Sequence, residues 1–133
     1  MRRPWFNLED VRRLAEEDRY ELNQGPACVG ALHNYLPAGF GHYRSFARTV
    51  VLALTLEDFW QTRSWPEPEG ALADEYGIRL SRAVLEEFEP GVATWYVKLS
   101  IRTGRRGEQL FFLSLHPLAF EMERNGGLLR PER

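Results

Sequence analysis

The fold of this chain is indicated most clearly by the stretch Val92-Ala-Thr-Trp-Tyr-Val-Lys-Leu-Ser-Ile-Arg102. From position 93 to 101 its odd-numbered side chains are apolar, whereas the even-numbered ones include Tyr96 and Lys98. Such alternation is typical of a β-strand that buries one face. A second alternating run, Gln109-Leu-Phe-Phe-Leu-Ser-Leu-His116, follows a loop rich in glycine and arginine at residues 103–108. The two runs therefore predict an antiparallel hairpin.

The apolar residues also predict the register of this hairpin, because a slip of one residue would turn every side chain to the wrong face. The register that matches the apolar faces forms three pairs: Ile101 with Phe111, Leu99 with Leu113, and Val97 with Leu115. Three pairs then follow on the other face: Ser100 with Phe112, Lys98 with Ser114, and Tyr96 with His116. We therefore expect Tyr96, Lys98 and His116 to share one open face, with opposed Cβ atoms about 5 Å apart.

Composition places the chain among ordinary globular proteins, with 44% hydrophobic and 27% charged residues in 133 positions. We expect a single domain over residues 1–133. The net charge of −2 argues against an extended nucleic-acid footprint, although local clusters of arginine remain possible contacts. The one cysteine, Cys28, excludes an intramolecular disulfide and is expected to be a buried apolar residue.

The N-terminus and the apolar segments indicate a cytoplasmic location. Residues 1–10 become acidic before the apolar core of a signal peptide can form. The apolar run at residues 50–54 is far shorter than the roughly 20 residues that span a bilayer. We therefore expect no membrane partner.

Helix signals dominate the N-terminal half. Asn7 is a typical N-cap, and apolar residues recur at helical spacing, so we expect a first helix over residues 8–17. Four further helices are expected: from Pro26 to residue 35, from residue 42 or 43 to residue 51, over residues 56–61, and over residues 81–88. The β-branched pair at residues 50–51 leaves a strand open as an alternative in the third of these five helices.

Extended segments fall mainly in the C-terminal half. Strands are expected at residues 20–22 and within residues 71–80, in addition to the hairpin. Residues 63–70 contain two prolines and a glycine and form a candidate binding loop. Residues 117–133 are expected to be an extension or frayed tail, opening with a helix after Pro117. The sum is an α+β fold with N-terminal helices packed on a small twisted antiparallel sheet.

Several motifs in order resemble the MqsR family, small endoribonuclease toxins of toxin–antitoxin systems with a fold like the RelE toxins. The likeness covers roughly residues 6–116 and has six parts: the Leu8-Glu-Asp-Val-Arg-Arg-Leu14 helix, a second helix rich in alanine, Leu54-Thr-Leu-Glu-Asp-Phe-Trp60, Asp74-Glu-Tyr76, Tyr96-Val-Lys-Leu99 and Leu113-Ser-Leu-His116. The resemblance implies a RelE/MqsR-like arrangement, messenger RNA as substrate, no cofactor and a cognate antitoxin as partner.

The chain departs from the MqsR pattern at the positions of the family's chemistry. Gln61 stands where the family has a catalytic lysine, Ala73 where it has a glutamine, and His116 where it has a second lysine. Only the tyrosine, Tyr96, matches. The chain also inserts about ten residues around the helix that begins at Ser81.

Metal-free RNA cleavage requires a base, an acid and a positive charge beside the phosphate. We assign the acid or base role to His116, an orienting or phosphate-binding role to Tyr96 and the phosphate charge to Lys98. Four further side chains complete the candidate site as substrate-binding residues: Gln61, Arg102, Trp60 and Tyr76. The catalytic candidates also have plain structural alternatives. Tyr96 can be a half-exposed aromatic residue of a strand, and His116 can be a strand-end residue that is hydrogen-bonded to the backbone.

No metal is expected in the site, because His33 and His42 lie in different segments without a carboxylate or cysteine at ligand spacing. Two functions remain open. The first is a toxin-like endoribonuclease that an antitoxin silences. The second is an immunity or antitoxin-like protein that keeps the scaffold without catalysis and binds a toxin. The missing lysine and glutamine favour the second, whereas Tyr96 and His116 favour the first.

Overall fold

A computed structural model describes residues 1–65 and 71–132 of the chain. Its helices are α1 (Leu8–Glu16), α2 (Val29–Tyr35), α3 (Phe40–Ala53) and α4 (Arg82–Phe88), with a short 3₁₀ helix at Leu56–Asp58. Its strands are β1 (Tyr20–Leu22), β2 (Phe59–Trp65), β3 (Ala71–Arg79), β4 (Thr94–Gly104), β5 (Gly107–Pro117), β6 (Met122–Arg124) and β7 (Gly127–Leu129).

Four of the predicted helices are confirmed as α1 to α4, with shifts of a few residues at their ends. The helix expected over residues 56–61 is wrong beyond Asp58, because only Leu56–Asp58 forms a 3₁₀ helix and residues 59–61 belong to β2. Asn7 caps α1 by accepting a hydrogen bond from the backbone N–H of Glu9, and Ser81 caps α4 through the N–H of Val84. Residues 50–51 lie in α3, where both valines are buried, so the strand alternative is wrong. Among the described residues, no helix is long and apolar enough to cross a membrane.

The main sheet has five strands in the order β1-β5-β4-β3-β2. β1 runs parallel to β5, and the other neighbours are antiparallel, so the expected purely antiparallel sheet is wrong and the sheet is mixed. The helices are not all N-terminal either, because α4 lies between β3 and β4 in the chain. The α+β class itself is confirmed.

One face of this sheet, which we call the core face, packs against the helices. Its buried side chains include Trp95, Val97 and Leu99 of β4 together with Phe112 and Leu115 of β5, in one cluster with the buried residues of α1 and α3. The other face, which we call the open face, carries Tyr96, Lys98 and His116. The alternation read from the sequence therefore assigned the two faces of β4 correctly.

The register of the hairpin is as predicted at one end and shifted at the other. Tyr96 pairs with His116, Val97 with Leu115, and Lys98 with Ser114, as expected. Beyond a β-bulge the three predicted pairs are wrong, and the observed pairs are Leu99 with Phe112, Ser100 with Phe111, and Ile101 with Leu110. The bulge at Leu113 keeps Phe112 on the core face, where its ring meets that of Tyr20 edge-on at 5.9 Å. The turn is also tighter than expected, since only residues 105–106 separate the strands.

The segment after Pro117 does not form the helix expected there. It forms a separate two-stranded sheet of β6 and β7, and this C-terminal hairpin packs against the open face. Gly77 of β3 makes room for the hairpin, because a Cβ atom at that position would lie 2.5 Å from the sulfur of Met122. The extension therefore covers part of the surface that the sequence predicted to face solvent.

Candidate functional site

Tyr96 and His116 lie side by side on the open face, at the end of the sheet away from the β4–β5 turn. Their rings are stacked, with centroids 5.0 Å apart and an angle of 29° between planes. This contact follows from their direct pairing across β4 and β5. Lys98, two residues along β4, points to the same face and is half-buried.

The Tyr96 hydroxyl donates a hydrogen bond of 2.6 Å to the carboxylate of Glu75. Glu75 is only 1% exposed and lies on β3, directly opposite Lys98 of β4. The Gln61 amide donates to the same carboxylate at 3.4 Å, and the Arg63 guanidinium lies 3.5 Å from it. Glu75 is thus the centre of the polar cluster on this face, and the sequence analysis missed it. The one available signal was a charged residue inside a predicted strand.

The sequence predicted that the phenol of Tyr96 faces solvent, and this prediction is wrong. The residue is 7% exposed and packs in a cluster with Leu118, Met122 and Leu129 from the C-terminal segment. Burial raises the pKa of the Tyr96 hydroxyl far above its usual value, and the bond to the Glu75 carboxylate raises it further. Both effects favour the protonated phenol, and its hydroxyl already donates to Glu75, so Tyr96 is poorly placed to transfer a proton to a substrate.

Lys98 has an environment that favours loss of its proton. Desolvation lowers the pKa of its amino group, and the Arg63 guanidinium lowers it too, while the Glu75 carboxylate acts in the opposite direction. The direction of the net change is downward, towards the range in which an amine exchanges protons.

His116 is half-buried, and its Nδ1 lies 2.8 Å from the carbonyl oxygen of Pro117. A carbonyl oxygen only accepts hydrogen bonds, so this contact requires the proton to be on Nδ1. The neutral ring then carries its lone pair on Nε2. The backbone contact was the plain structural alternative for this histidine, and it is present together with the stacking on Tyr96.

Three of the four predicted substrate-binding residues lie on or beside the open face. Gln61 binds Glu75, as described above. Trp60 packs against the ring of Phe120 at 5.3 Å, next to the cluster that buries Tyr96. Arg102 lies on the open face, four residues after Lys98 on β4 and close to the β4–β5 turn. Its guanidinium is 5.0 Å from the ring centre of Phe111.

Tyr76, the fourth, lies apart from the others. It is fully buried in the core cluster, and its ring meets that of Phe59 edge-on at 5.5 Å. Asp74, two residues before Tyr76, is also buried. Its carboxylate accepts hydrogen bonds from the backbone N–H groups of Trp5 and Phe6. Adjacent residues of a strand point to opposite faces, so placing Glu75 on the open face directs Tyr76 to the core. We therefore exclude Tyr76 from the site.

Other sequence predictions concern residues away from this cluster. Of the candidate binding loop at residues 63–70, residues 66–70 lie outside the described part. Cys28 is fully buried, as expected, and burial raises the pKa of its thiol to about 12. Within the described ranges, no three histidine, cysteine, aspartate or glutamate side chains are grouped in a way that could hold a metal ion.

Comparison of the chain with protein-family models and with curated proteins finds no match. The relation to the MqsR family therefore stays a resemblance of motifs, and the functions that it implies are proposals.

The Tyr96–Glu75 bond leads to a prediction that depends on pH. We expect Tyr96→Phe to lower the free energy of unfolding near neutral pH by about 1.5–3 kcal/mol, the range for a hydrogen bond to a charged group. A raised folded-state pKa contributes stability below the unfolded pKa, near 10 for tyrosine, and this contribution is lost as the pH rises above it. The deficit of the variant should therefore shrink above about pH 10.

Urea unfolding at neutral and alkaline pH measures both effects. Tyr35→Phe is the matched control, because Tyr35 is 37% exposed and should tolerate the same change. A deficit that is constant across this pH range would contradict the assigned contact.

Proposed function

We propose that this protein is a toxin-like endoribonuclease that cleaves messenger RNA in the cytoplasm without a metal ion. One observation carries the proposal: His116 bonds to a backbone carbonyl through Nδ1, which leaves the Nε2 lone pair as a base on the same face as Lys98. The motifs shared with the MqsR family support the same reaction class and a RelE/MqsR-like arrangement.

In the proposed reaction, Nε2 of His116 takes the proton of a ribose 2′-hydroxyl. The 2′-oxygen then attacks the adjacent phosphorus, and the bond from phosphorus to the 5′-oxygen breaks. The products are a 2′,3′-cyclic phosphate and a 5′-hydroxyl, which receives a proton from a general acid. Positioned acid–base groups of this kind typically contribute about 10²–10⁴-fold to the rate.

Lys98 supplies the positive charge for the phosphate and is the best candidate for the general acid. Its lowered pKa brings the ammonium group closer to a value at which it can release a proton to the 5′-oxygen. The Glu75 carboxylate, opposite Lys98 in the sheet, acts against this change and raises the pKa of the amino group.

Tyr96 acts in this proposal as a positioning residue. Its ring stacks on His116 and its hydroxyl is tied to Glu75, so it fixes the plane of the imidazole and does not itself contact RNA. This replaces the phosphate-binding alternative that the sequence left open. Gln61 and Trp60, at the edge of the same cluster, remain candidates for contacts with the nucleotide.

The second candidate function is a non-catalytic protein that binds a toxin or antitoxin through this face. The burial of Tyr96 under the C-terminal segment favours it, as do Gln61 and Ala73 at positions where the MqsR family has catalytic side chains. In either case the partner is a protein encoded with this one, an antitoxin for the nuclease or a toxin for the binding protein.

Incubation of the purified protein with single-stranded RNA tests the first proposal. We expect fragments that end in a 2′,3′-cyclic phosphate and a 5′-hydroxyl, at a rate unchanged by EDTA, and growth arrest when the gene is induced. RNA that stays intact, together with a protein that protects cells from the product of a neighbouring gene, would establish the second function and end the first.

A further inference from the structure

A cleft of about 310 Å³ lies at the turn end of the open face, distant from His116. We call it the arginine cleft, because Arg102, Arg105 and Arg106 line it. Phe111 also lines it, and Glu21 of the neighbouring strand β1 is its one acidic lining residue. Three arginines and one glutamate give the lining of this cleft a formal charge of +2, in a chain whose net charge is −2.

The turn holds two of these arginines in place. Arg105 and Arg106 are the two residues between β4 and β5, and both are exposed. Gly107 closes the turn with a φ of +88°, a conformation that favours glycine. The guanidinium of Arg19 donates to the carbonyl oxygen of Arg106, so a neighbouring segment fixes the turn. Both side chains therefore extend from a well-anchored backbone.

Arg102 is the arginine that links the turn to the rest of the open face. Its guanidinium lies over the Phe111 ring, and its Nε is buried without a hydrogen-bond partner in the described residues. A buried donor without a partner calls for an explanation, and a water or ion beside it is one such explanation. Its position in a cleft lined by further guanidinium groups indicates an anionic ligand.

The arginine cleft continues along the face. A second cleft of about 280 Å³ shares Glu21, Arg102 and Phe111 with it. Arg102 lies six residues from Tyr96 on β4, which corresponds to about 20 Å along a strand. The open face thus places a basic cleft and the His116 cluster several nucleotides apart on one surface.

We propose that the arginine cleft binds the phosphate backbone of single-stranded RNA at a distance from the point of cleavage. The planar guanidinium groups match phosphate oxygens in pairs, and the Arg102–Phe111 pair offers a flat surface for a base. The choice of RNA as the polyanion rests on the proposed function. Binding itself requires none of the chemistry of His116, so the two proposals can fail separately.

Fluorescence anisotropy with a labelled uridine oligonucleotide of about 12 nucleotides tests this proposal, a length within the range that single-strand binding folds cover. The full-length His116→Ala protein serves as the parent, since it keeps the probe intact. We expect Arg105→Gln with Arg106→Gln to weaken binding about 10-fold and to reduce the slope of affinity against salt by about 1.4. Glu21→Gln should tighten binding, because it removes the one negative charge that lines the cleft.

The matched control is Arg48→Gln with Arg82→Gln, which removes the same charge from exposed positions on α3 and α4. An equal loss of affinity in this control would overturn the proposal, because it would show an effect of net charge alone. A polyglutamate probe that binds as tightly as RNA, and loses binding in the turn variant, would overturn it in favour of an acidic protein. RNA binding that depends on the turn arginines, in a protein that cleaves no RNA, would sink the proposed nuclease and leave this inference standing.

Discussion

Replacement of His116 by alanine is expected to slow RNA cleavage by about 10²–10⁴-fold, the range for loss of a positioned acid or base. The reason is that Nε2 of this ring is the proposed acceptor of the 2′-hydroxyl proton, and its tautomer is set by the carbonyl of Pro117. The rate of cyclic-phosphate formation on a short RNA measures the effect. Binding of the same RNA should change little, because the arginine cleft lies at the other end of the face.

His42→Ala provides the control for this substitution. His42 lies on α3, with its ring 5.0 Å from that of Phe88, and belongs to the helical layer on the other side of the sheet. Its removal should leave cleavage near the level of the unaltered protein. If His116→Ala cleaves RNA as fast as the unaltered protein does, His116 is not the base and the proposed reaction is wrong.

Truncation of Trp95 to alanine is expected to lower the free energy of unfolding by about 3–5 kcal/mol, as is typical of a large aromatic side chain lost from a core. Trp95 is fully buried on the core face of β4, and its ring meets Phe46 at 4.9 Å and Tyr35 at 5.9 Å. The indole N–H also donates to the carbonyl oxygen of Val92 at 2.8 Å. Chemical denaturation followed by circular dichroism measures the loss.

Trp5→Ala is the matched control for this second substitution. Trp5 is 67% exposed, and its recorded hydrogen bond to Asp74 comes from the backbone N–H, which alanine retains. Its effect should stay within about 0.5 kcal/mol. Equal losses for the two tryptophans would contradict the assignment of the core face.

The C-terminal hairpin changes the chemistry available to the site. In the proposed reaction the surface groups are His116 and Lys98, because Tyr96 is covered by the hairpin and bound to Glu75. A tyrosine on a half-buried strand could have served as an acid or a phosphate ligand if the chain had ended near Pro117. The extension therefore assigns Tyr96 to a structural role within the same cluster.

Local patterns were enough to predict α1 to α4 and the two faces of β4, but not β2 or the strands after Pro117. The caps at Asn7 and Ser81 and the apolar spacing of α1 depend on residues within a few positions of one another, so the sequence contains them directly. The pairing of Tyr96 with His116 was also predictable, since it follows from matching the apolar residues of two adjacent runs.

Features that depend on distant contacts could not be predicted in this way. The bulge at Leu113 arises because Phe112 must meet the core beside Tyr20, which is ninety-two positions earlier in the chain by number. The sequence also could not show which residues of β3 lie on the open face. Asp74 and Glu75 are both acidic and both buried, but each has different partners. Neighbouring residues carry no signal for such choices.

The sequence by itself determined where α1 to α4 form, which two runs pair as the β4–β5 hairpin, and that Tyr96, Lys98 and His116 share a face. These properties depend on the local periods of helix and strand, which the order of residues specifies. Only the tertiary structure decided that Glu75 binds Tyr96, that Tyr76 lies in the core and that β6 and β7 cover the phenol. Those outcomes depend on which surfaces meet, because burial and hydrogen bonding are gained only when segments far apart in the chain come together.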